Sequence, residues 1–374
     1  KLKKLDTILT LENSLAKENY EYNKLGKDKY LELKKYKLFS YTKNYDLDFD
    51  YPKGWSNAYR KIYEICTLTN FVPKRKNLLH FDICSFPGSF IYGLHDYIKT
   101  KKDNTTYDFL FQSYLVKGEE KNKYFEDRYR LAKKYPRKFI VKDNGDVTSI
   151  KVIEYYQEYF KNIKCDIITS DCGLESEKKD SFEREKQMTK TFLGMLIIAL
   201  SALKKNGNLL MKYYHFYSIF NLSLIYFLGL VFKSVYLVKP SSSRQFSGSE
   251  VYIMCLDFKA NLEIKDIEKL KGILSKFNQK TLNYSLINSK NLDSNILNNI
   301  EEKLSSYYKY KIERRLQKFK LTDDFIKVSW EEDYNRYLKK YKLLSKISNN
   351  IEKKWYKNYL KHMDITILDK KDSL

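Results

Sequence analysis

The segment Leu78-Leu-His-Phe-Asp-Ile-Cys-Ser-Phe-Pro-Gly-Ser-Phe90 decides the fold. Its apolar run to Cys84 reads as a buried strand. A Pro-Gly turn then stops the strand, and helical periodicity follows to about Thr100. Gly88 lets a ligand approach the backbone, and the helix N-terminus offers amides with no partner inside the helix. A strand–turn–helix link of this kind also joins elements where nothing binds, so it speaks to architecture before function.

Outward from this segment, strand and helix alternate. Trp55–Thr69 reads as a helix before it. After it come strands at Tyr107–Val116 and Lys138–Lys142, a helix at Val147–Phe160 and a strand at Asp166–Ser170. A long helix over about Ser181–Lys204, a strand at Asn208–Lys212 and a helix at His215–Leu230 follow. Strands at Phe232–Val238 and Glu250–Phe258 close the series. The alternation predicts an α/β fold, a mostly parallel seven-stranded sheet with helices on both faces. No helix separates the last two strands, so they are expected to pair antiparallel at one edge. Residues 51–260 then form the α/β domain. Residues 1–50 and 261–374, rich in Lys and Tyr, are expected to be basic helical extensions.

The chain has 374 residues, room for one large domain with extensions or for two domains. Its 70 Lys and Arg against 47 Asp and Glu leave a net charge of +23, a field that favours nucleic acid or an anionic membrane. A Lys/Asn/Ile/Tyr-rich coding bias accounts for part of that charge. The 34 Tyr and 22 Phe can stack on bases, although core packing claims most of them.

Five cysteines without a CxxC pair argue against a disulfide framework and a zinc ribbon, and point to a reducing, intracellular setting. Four histidines without HExxH give a metal site no support, so none is expected. No signal-peptide pattern is visible. The runs Leu193–Leu203 and Ile219–Phe232 are too short to span a bilayer and read as buried helices, so no membrane partner is expected. No GxGxxG follows the first strand, which disfavours a dinucleotide enzyme.

In an open α/β sheet, ligands bind beyond the carboxyl ends of the strands. Three further groups sit there. Asp166-Ile-Ile-Thr-Ser-Asp171 ends a buried strand with an acid, which could equally be a helix cap. Gly207-Asn-Leu-Leu-Met-Lys212 ends an apolar strand with a lysine, which is costly to bury unless it snorkels out. The loop Lys239-Pro-Ser-Ser-Ser-Arg-Gln-Phe-Ser-Gly-Ser-Glu250 leads into the last strand. Its Ser243 and Arg244 are candidate phosphate contacts, or members of an ordinary polar loop.

Together these pieces resemble the FtsJ-type ribose 2′-O-methyltransferases over roughly residues 51–258. The helix Ser56-Asn-Ala-Tyr-Arg-Lys61-Ile-Tyr-Glu-Ile65 matches the family's S-x-A-(aromatic)-x-K-(aliphatic)-x-E-(aliphatic) motif. The Ser-Asp pair at 170–171, the strand ending at Lys212 and the K-P-x-S-S-R…S-E-x-Y loop follow in the family's order. The resemblance implies a Rossmann-like fold with S-adenosyl-L-methionine as cofactor and RNA as partner. It implies a catalytic tetrad of Lys61, Asp171, Lys212 and Glu250, with Lys212 as general base.

For the cofactor, the resemblance implies contacts from the turn Cys84, Ser85, Phe86, Pro87, Gly88 and Ser89, and from Asp171. Asp146 would take the adenine amino group, with Val147 beside the ring. A ribose contact is expected within Lys117–Glu119. Gly145-Asp-Val-Thr148 and Ser170-Asp-Cys-Gly173 look like the segments of cap-type members, most similar to the FtsJ-like proteins of large cytoplasmic DNA viruses. That implies the first transcribed nucleotide of capped mRNA as substrate, a cytoplasmic or virion setting, and association with other capping or transcription proteins. A ribosomal or transfer RNA substrate, or an inactive methyltransferase fold serving as an RNA-binding subunit, are the alternatives. The group often has Glu where Ser85 stands and Gly where Ser89 and Cys172 stand.

A free lysine near pKa 10.4 is neutral in only roughly one copy in 2,500 at pH 7, so a lysine base needs its pKa lowered. Burial and a nearby Lys61 are expected to push Lys212 down, and Asp171 and Glu250 to push it up.

Overall fold

The computed structural model describes residues 56–102, 104–115, 126–173, 181–214, 216, 218–240, 242, 250–287, 293, 295–296, 298–302 and 304–307, with scattered positions from 336 to 350. The extension at 1–50, Lys117–Glu119, Ser243 and Arg244 lie outside the described residues. Two compact units are present. One takes in Tyr51–Pro240, Ser249–Leu297 and Thr366–Leu374, and the other Lys1–Asp50, Ser241–Gly248 and Asn298–Ile365.

The first unit is the α/β body. Its elements are α1 (Asn57–Leu68), β1 (Asn77–Ile83), α2 (Ser89–Lys101), β2 (Thr106–Phe111), the one-turn α3 (Leu131–Lys134), α4 (Ile150–Tyr159) and β3 (Cys165–Ser170). Then come α5 (Ser181–Ala202), β4 (Leu203–Tyr213), α6 (Ile219–Val231), β5 (Phe232–Val238), β6 (Val251–Phe258) and α7 (Ile264–Ser275).

The sheet runs β2-β1-β3-β4-β6-β5. Neighbours among β1 to β4 pair in parallel, and β6 runs antiparallel to both β4 and β5. All six residues of β3 are buried. Successive strand residues point to opposite faces, so helices must cover both faces there, as a parallel sheet requires. Phe81 of β1 packs on Phe160 with ring centroids 4.8 Å apart, both fully buried. Each such side chain contributes roughly 1.5–3 kcal/mol by leaving water.

Both long apolar runs form buried helical structure. Leu193–Ala202 lies in α5, and α6 is apolar on nearly every side. Among the described residues no helix is long and apolar enough to cross a membrane.

Three predicted strands differ from the structure by more than a residue, one of them β4, which begins at Leu203 and not at Asn208. The described residues contain six strands, not seven, because Lys138–Lys142 contributes only an isolated parallel bridge from Phe139 to Phe111. A turn closed by Lys138 N–H donating to Tyr135 O precedes it, and the chain then exchanges only two backbone bonds with Phe111. Stacking of Phe139 on Phe111 and Phe86 seals that edge. β2 stops at Phe111 instead of running to Val116.

From β1 the chain goes outward to β2 and then returns to β3 on the other side of β1. The order reverses between β1 and β3, the point at which open α/β sheets take ligands beyond the carboxyl ends of their strands.

Candidate active site

The β1 end of the cleft rests on a buried polar relay. Tyr107 Oη lies 2.7 Å from His80 Nδ1, His80 Nε2 lies 2.6 Å from Thr169 Oγ1, and Thr169 donates to Asp82 Oδ1 at 2.5 Å. Burial lowers His80 to about 3. Burial also raises Asp82 to about 7, against the hydrogen bond from Thr169 that lowers it.

Beyond this relay Cys84 turns into the left-handed region at φ 60°. Two bonds pin the turn to the end of β2: Ser85 N–H donates to Gln112 O at 2.9 Å, and Phe86 N–H to Ser113 Oγ at 2.7 Å. Gly88, at φ 97°, caps α2. A side chain there would be strained, and its Cβ would sit 2.6 Å from Leu131 Cδ2.

The second wall is the turn before α4. Gly145 is at φ 74°, and a Cβ on it would meet Ser113 O at 2.3 Å. Asp146 is held by its own turn, its Oδ1 accepting from Thr148 N–H and Oγ1, both at 2.9 Å. Val147 is buried beside it.

These walls fit an adenosine-bearing group. The fully buried Gln112 has neither amide atom paired among the described residues, and its Oε1 lies 3.3 Å from where a Gly145 Cβ would stand. An unpaired buried amide is costly and suits a ligand with hydroxyls. Gln112 and Ser113 were hidden in the sequence because the apolar pattern carries β2 five residues beyond Phe111. The available signal was the Gln-Ser pair directly after the Phe-Leu-Phe run.

The four predicted tetrad residues converge at the third wall. The registers Ile83↔Ser170, Ser170↔Met211 and Lys212↔Tyr252 align one row across the sheet, one residue past the paired ends of β1 and β3. That row is Cys84, Asp171, Lys212, Tyr252. Lys212 Nζ lies 3.1 Å from Asp171 Oδ1 and donates to Asp171 O at 2.7 Å. Tyr252 Oη donates to the same Oδ1 at 2.5 Å.

Glu250 lies two residues before Tyr252 and therefore on the same face. There it meets α1: Lys61 Nζ is 2.8 Å from Oε1 and 2.9 Å from Oε2. Lys61 also stands 5.8 Å from the centroid of the Tyr252 ring. Lys239 donates to the Glu250 carbonyl. Tyr252, present in the S-E-x-Y motif but not singled out, sits between the two ion pairs. α1 is held at this height by the Ser56–Ser89 hydroxyl contact at 2.6 Å and by Tyr59 Oη donating to Asp96 at 2.7 Å.

Charge in the cluster is steeply biased. Burial raises Glu250, but Lys61, Lys212 and Lys239 outweigh it and hold the carboxyl at about 2. Burial lowers Lys212, yet Asp171, Tyr214, Glu250 and Cys172 overcome it and leave the ammonium above the ordinary lysine value. Of the opposed pushes expected on Lys212, the upward ones prevail. Lys61 faces Glu250, while Lys212 carries Asp171 at contact distance.

An FtsJ-like methyltransferase family model matches residues 55–258. A protein of Acanthamoeba polyphaga mimivirus is 29% identical over 210 residues, covering 54% of this chain and 26% of that one. The "Probable methyltransferase" of an African swine fever virus isolate is 28% identical over 211 residues, 53% of this chain and 48% of its own. The "Cap-specific mRNA (nucleoside-2'-O-)-methyltransferase 2" of Danio rerio is 26% identical over 227 residues, 57% of this chain and 29% of its own. The chain therefore spans about a quarter to a half of the length of these relatives. With more than half of its residues matched by that family model, the chain belongs to the FtsJ-like methyltransferase family.

Proposed function

We propose that this chain is an S-adenosylmethionine-dependent RNA ribose 2′-O-methyltransferase acting on the first transcribed nucleotide of capped mRNA. The observation that carries the reading is the row Asp171–Lys212–Tyr252 with the Lys61–Glu250 pair beside it, at the mouth of a cleft walled by the Gly88 and Gly145 turns.

When bound, the donor supplies an electrophilic methyl group on a sulfonium. The chain must supply an oriented 2′-oxygen and a place for its proton. Lys212 Nζ is the proton acceptor in this reading. Asp171 fixes its position through carboxylate and carbonyl together. The resting ammonium must first lose its own proton. Exclusion of water by RNA and a second positive charge in the cleft both act in that direction. Lys61, neutralised by Glu250, is a positioning donor for the acceptor ribose. Gln112 and the Asp146 turn hold the adenosine end. The cap assignment rests on the relative named as a cap-specific mRNA methyltransferase, while the basic net charge favours RNA in general.

The test is methyl transfer from labelled S-adenosylmethionine to matched capped and uncapped RNAs. Label should appear on the first nucleotide of the capped RNA, and Lys212→Ala should lose transfer while keeping donor affinity. Near-normal turnover of Lys212→Ala would remove Lys212 from the role. Label on uncapped RNA would keep the chemistry and overturn the cap assignment.

A further inference from the structure

The catalytic row begins with a residue that the methyl-transfer reading does not use chemically. Cys84 neighbours Asp171 across β1 and β3, one residue past the register pair Ile83↔Ser170, and Cys172 follows Asp171. The left-handed turn at Cys84, φ 60°, takes its side chain off the face a continued strand would give it and onto Met195, whose sulfur Ser170, two residues before Cys172, also contacts. Each thiol acts on the ionisation of the other, and both are free and half-buried. Around them the site is rich in sulfur. Cys84 Sγ lies 3.8 Å from Met195 Sδ, Ser170 Oγ donates to that sulfur at 3.0 Å, and Cys172 N–H donates to Ser170 Oγ at 3.4 Å. The Lys212 ammonium lies against the same backbone, 3.1 Å from where a Cβ on Gly173 would be.

We infer that Cys84 and Cys172 form an oxidant-sensitive thiol pair whose disulfide bridges the methyl-donor cleft and shuts it. The bond would tie the Cys84–Gly88 turn to the loop carrying Asp171, and so move the group that positions Lys212. The blocking effect rests on the proposed donor site, whereas formation of the bond does not.

Cys172 is the nucleophile. Its thiolate is favoured by the neighbouring Cys84 thiol and then, against burial and Asp171, by Lys212. It attacks an oxygen of a hydroperoxide. The O–O bond breaks, the departing alkoxide takes a proton as alcohol, and the sulfur becomes a sulfenic acid. The Cys84 thiol attacks that sulfur, an S–S bond replaces the S–O bond, and hydroxide leaves with the thiol proton as water. The two thiols lose two electrons, and the hydroperoxide gains them.

The experiment treats the full chain with tert-butyl hydroperoxide, alkylates it and digests it without reductant. Mass spectrometry reads the cross-link, and calorimetry reads S-adenosylhomocysteine affinity. A Cys84–Cys172 cross-link is expected, with affinity lowered at least about tenfold and restored by dithiothreitol. Cys172→Ser and Cys172→Gly should each keep their own untreated affinity through the treatment. Absence of the cross-link overturns the inference. So does a cross-link with unchanged affinity, or equal loss in the Cys172 variants. If untreated protein binds no S-adenosylhomocysteine, the proposed donor site fails, and the cross-link alone then decides whether the thiol pair exists.

Discussion

Replacing Asp171 by Asn should move the pH dependence of methyl transfer to lower pH. Lys212 Nζ sits 3.1 Å from Asp171 Oδ1, with side chains only 9% and 19% exposed. At an effective dielectric constant near 20, two unit charges at that distance attract by about 5 kcal/mol. At about 1.4 kcal/mol per pKa unit, this is an upward push of about 4 units on the lysine. Burial is the largest single effect on Lys212 and lowers it; Asp171 is the largest of the charges that raise it, and only together with Tyr214, Glu250 and Cys172 does it leave the ammonium above its ordinary value of 10.5. Asn keeps the size and the backbone carbonyl that Lys212 bonds to, and removes only the charge.

The assay is single-turnover transfer with both substrates saturating, from about pH 6.5 to 10. In the wild type, log rate should rise by about one unit per pH unit through most of this range, because each step frees ten times more neutral amine. In Asp171→Asn the rise should begin to level off at lower pH than in the wild type, because the largest of the charges that raise Lys212 is gone. Each profile is read against its own maximum, so loss of absolute rate in the variant does not affect the comparison. A wild-type plateau by about pH 8, or superimposable profiles, would refute Lys212 as a base whose proton Asp171 holds.

Two further expectations concern the scaffold. A Cβ on Gly194 of α5 would stand 2.1 Å from Val147 O, so Gly194→Ala must push the helix or the Gly145–Thr148 turn. It should cost about 1–3 kcal/mol in urea unfolding and weaken S-adenosylhomocysteine binding, and an unchanged midpoint with unchanged affinity would count against that packing. The His80–Asp82 relay should hide its own pH dependence. Between about pH 4 and 6.5 the folded pair holds one proton on Asp82, the unfolded pair one on His80, and no net uptake accompanies unfolding. His80→Asn leaves only Asp82, raised from 3.8 to about 7. Its contribution is then fully present below about pH 4 and is lost as pH rises towards 7, by about 1.4 kcal/mol per unit relative to wild type. Parallel stability–pH curves for the two proteins would exclude the relay.

Elements with buried apolar runs were legible because burial on both sheet faces leaves an unbroken signal, as in Cys165–Ser170 and Leu209–Tyr213. Ends were less legible where apolar residues continue past the last ladder bond. Tyr114-Leu115-Val116 prolongs the pattern of β2, yet β2 pairs only to Phe111, and that difference hid Gln112 and Ser113. The short segment around Phe139 reads as a strand by composition but is fastened by aromatic stacking on Phe111 and Phe86 more than by a ladder.

The four charged residues of the cluster were legible singly; their pairing was not. Nothing local to Lys61 or Lys212 says which acid each will meet. That follows from β6 entering the sheet antiparallel beside β4 with Tyr252 opposite Lys212. Once that register is set, the two-residue period carries Glu250 past the row towards α1, where Lys61 meets it. Asp171, one step beyond Ser170 opposite Met211, is then the carboxylate left beside Lys212. A one-residue slip of β6 would turn Tyr252 and Glu250 to the other face and leave Lys61 a buried cation facing a strand without its acid. The Lys61–Glu250 pair and the Lys212–Tyr252 register therefore require each other. The same constraint explains why the tyrosine of the S-E-x-Y motif belongs to the site as much as the glutamate: Tyr252 bonds Asp171 and marks the register that separates the two ion pairs.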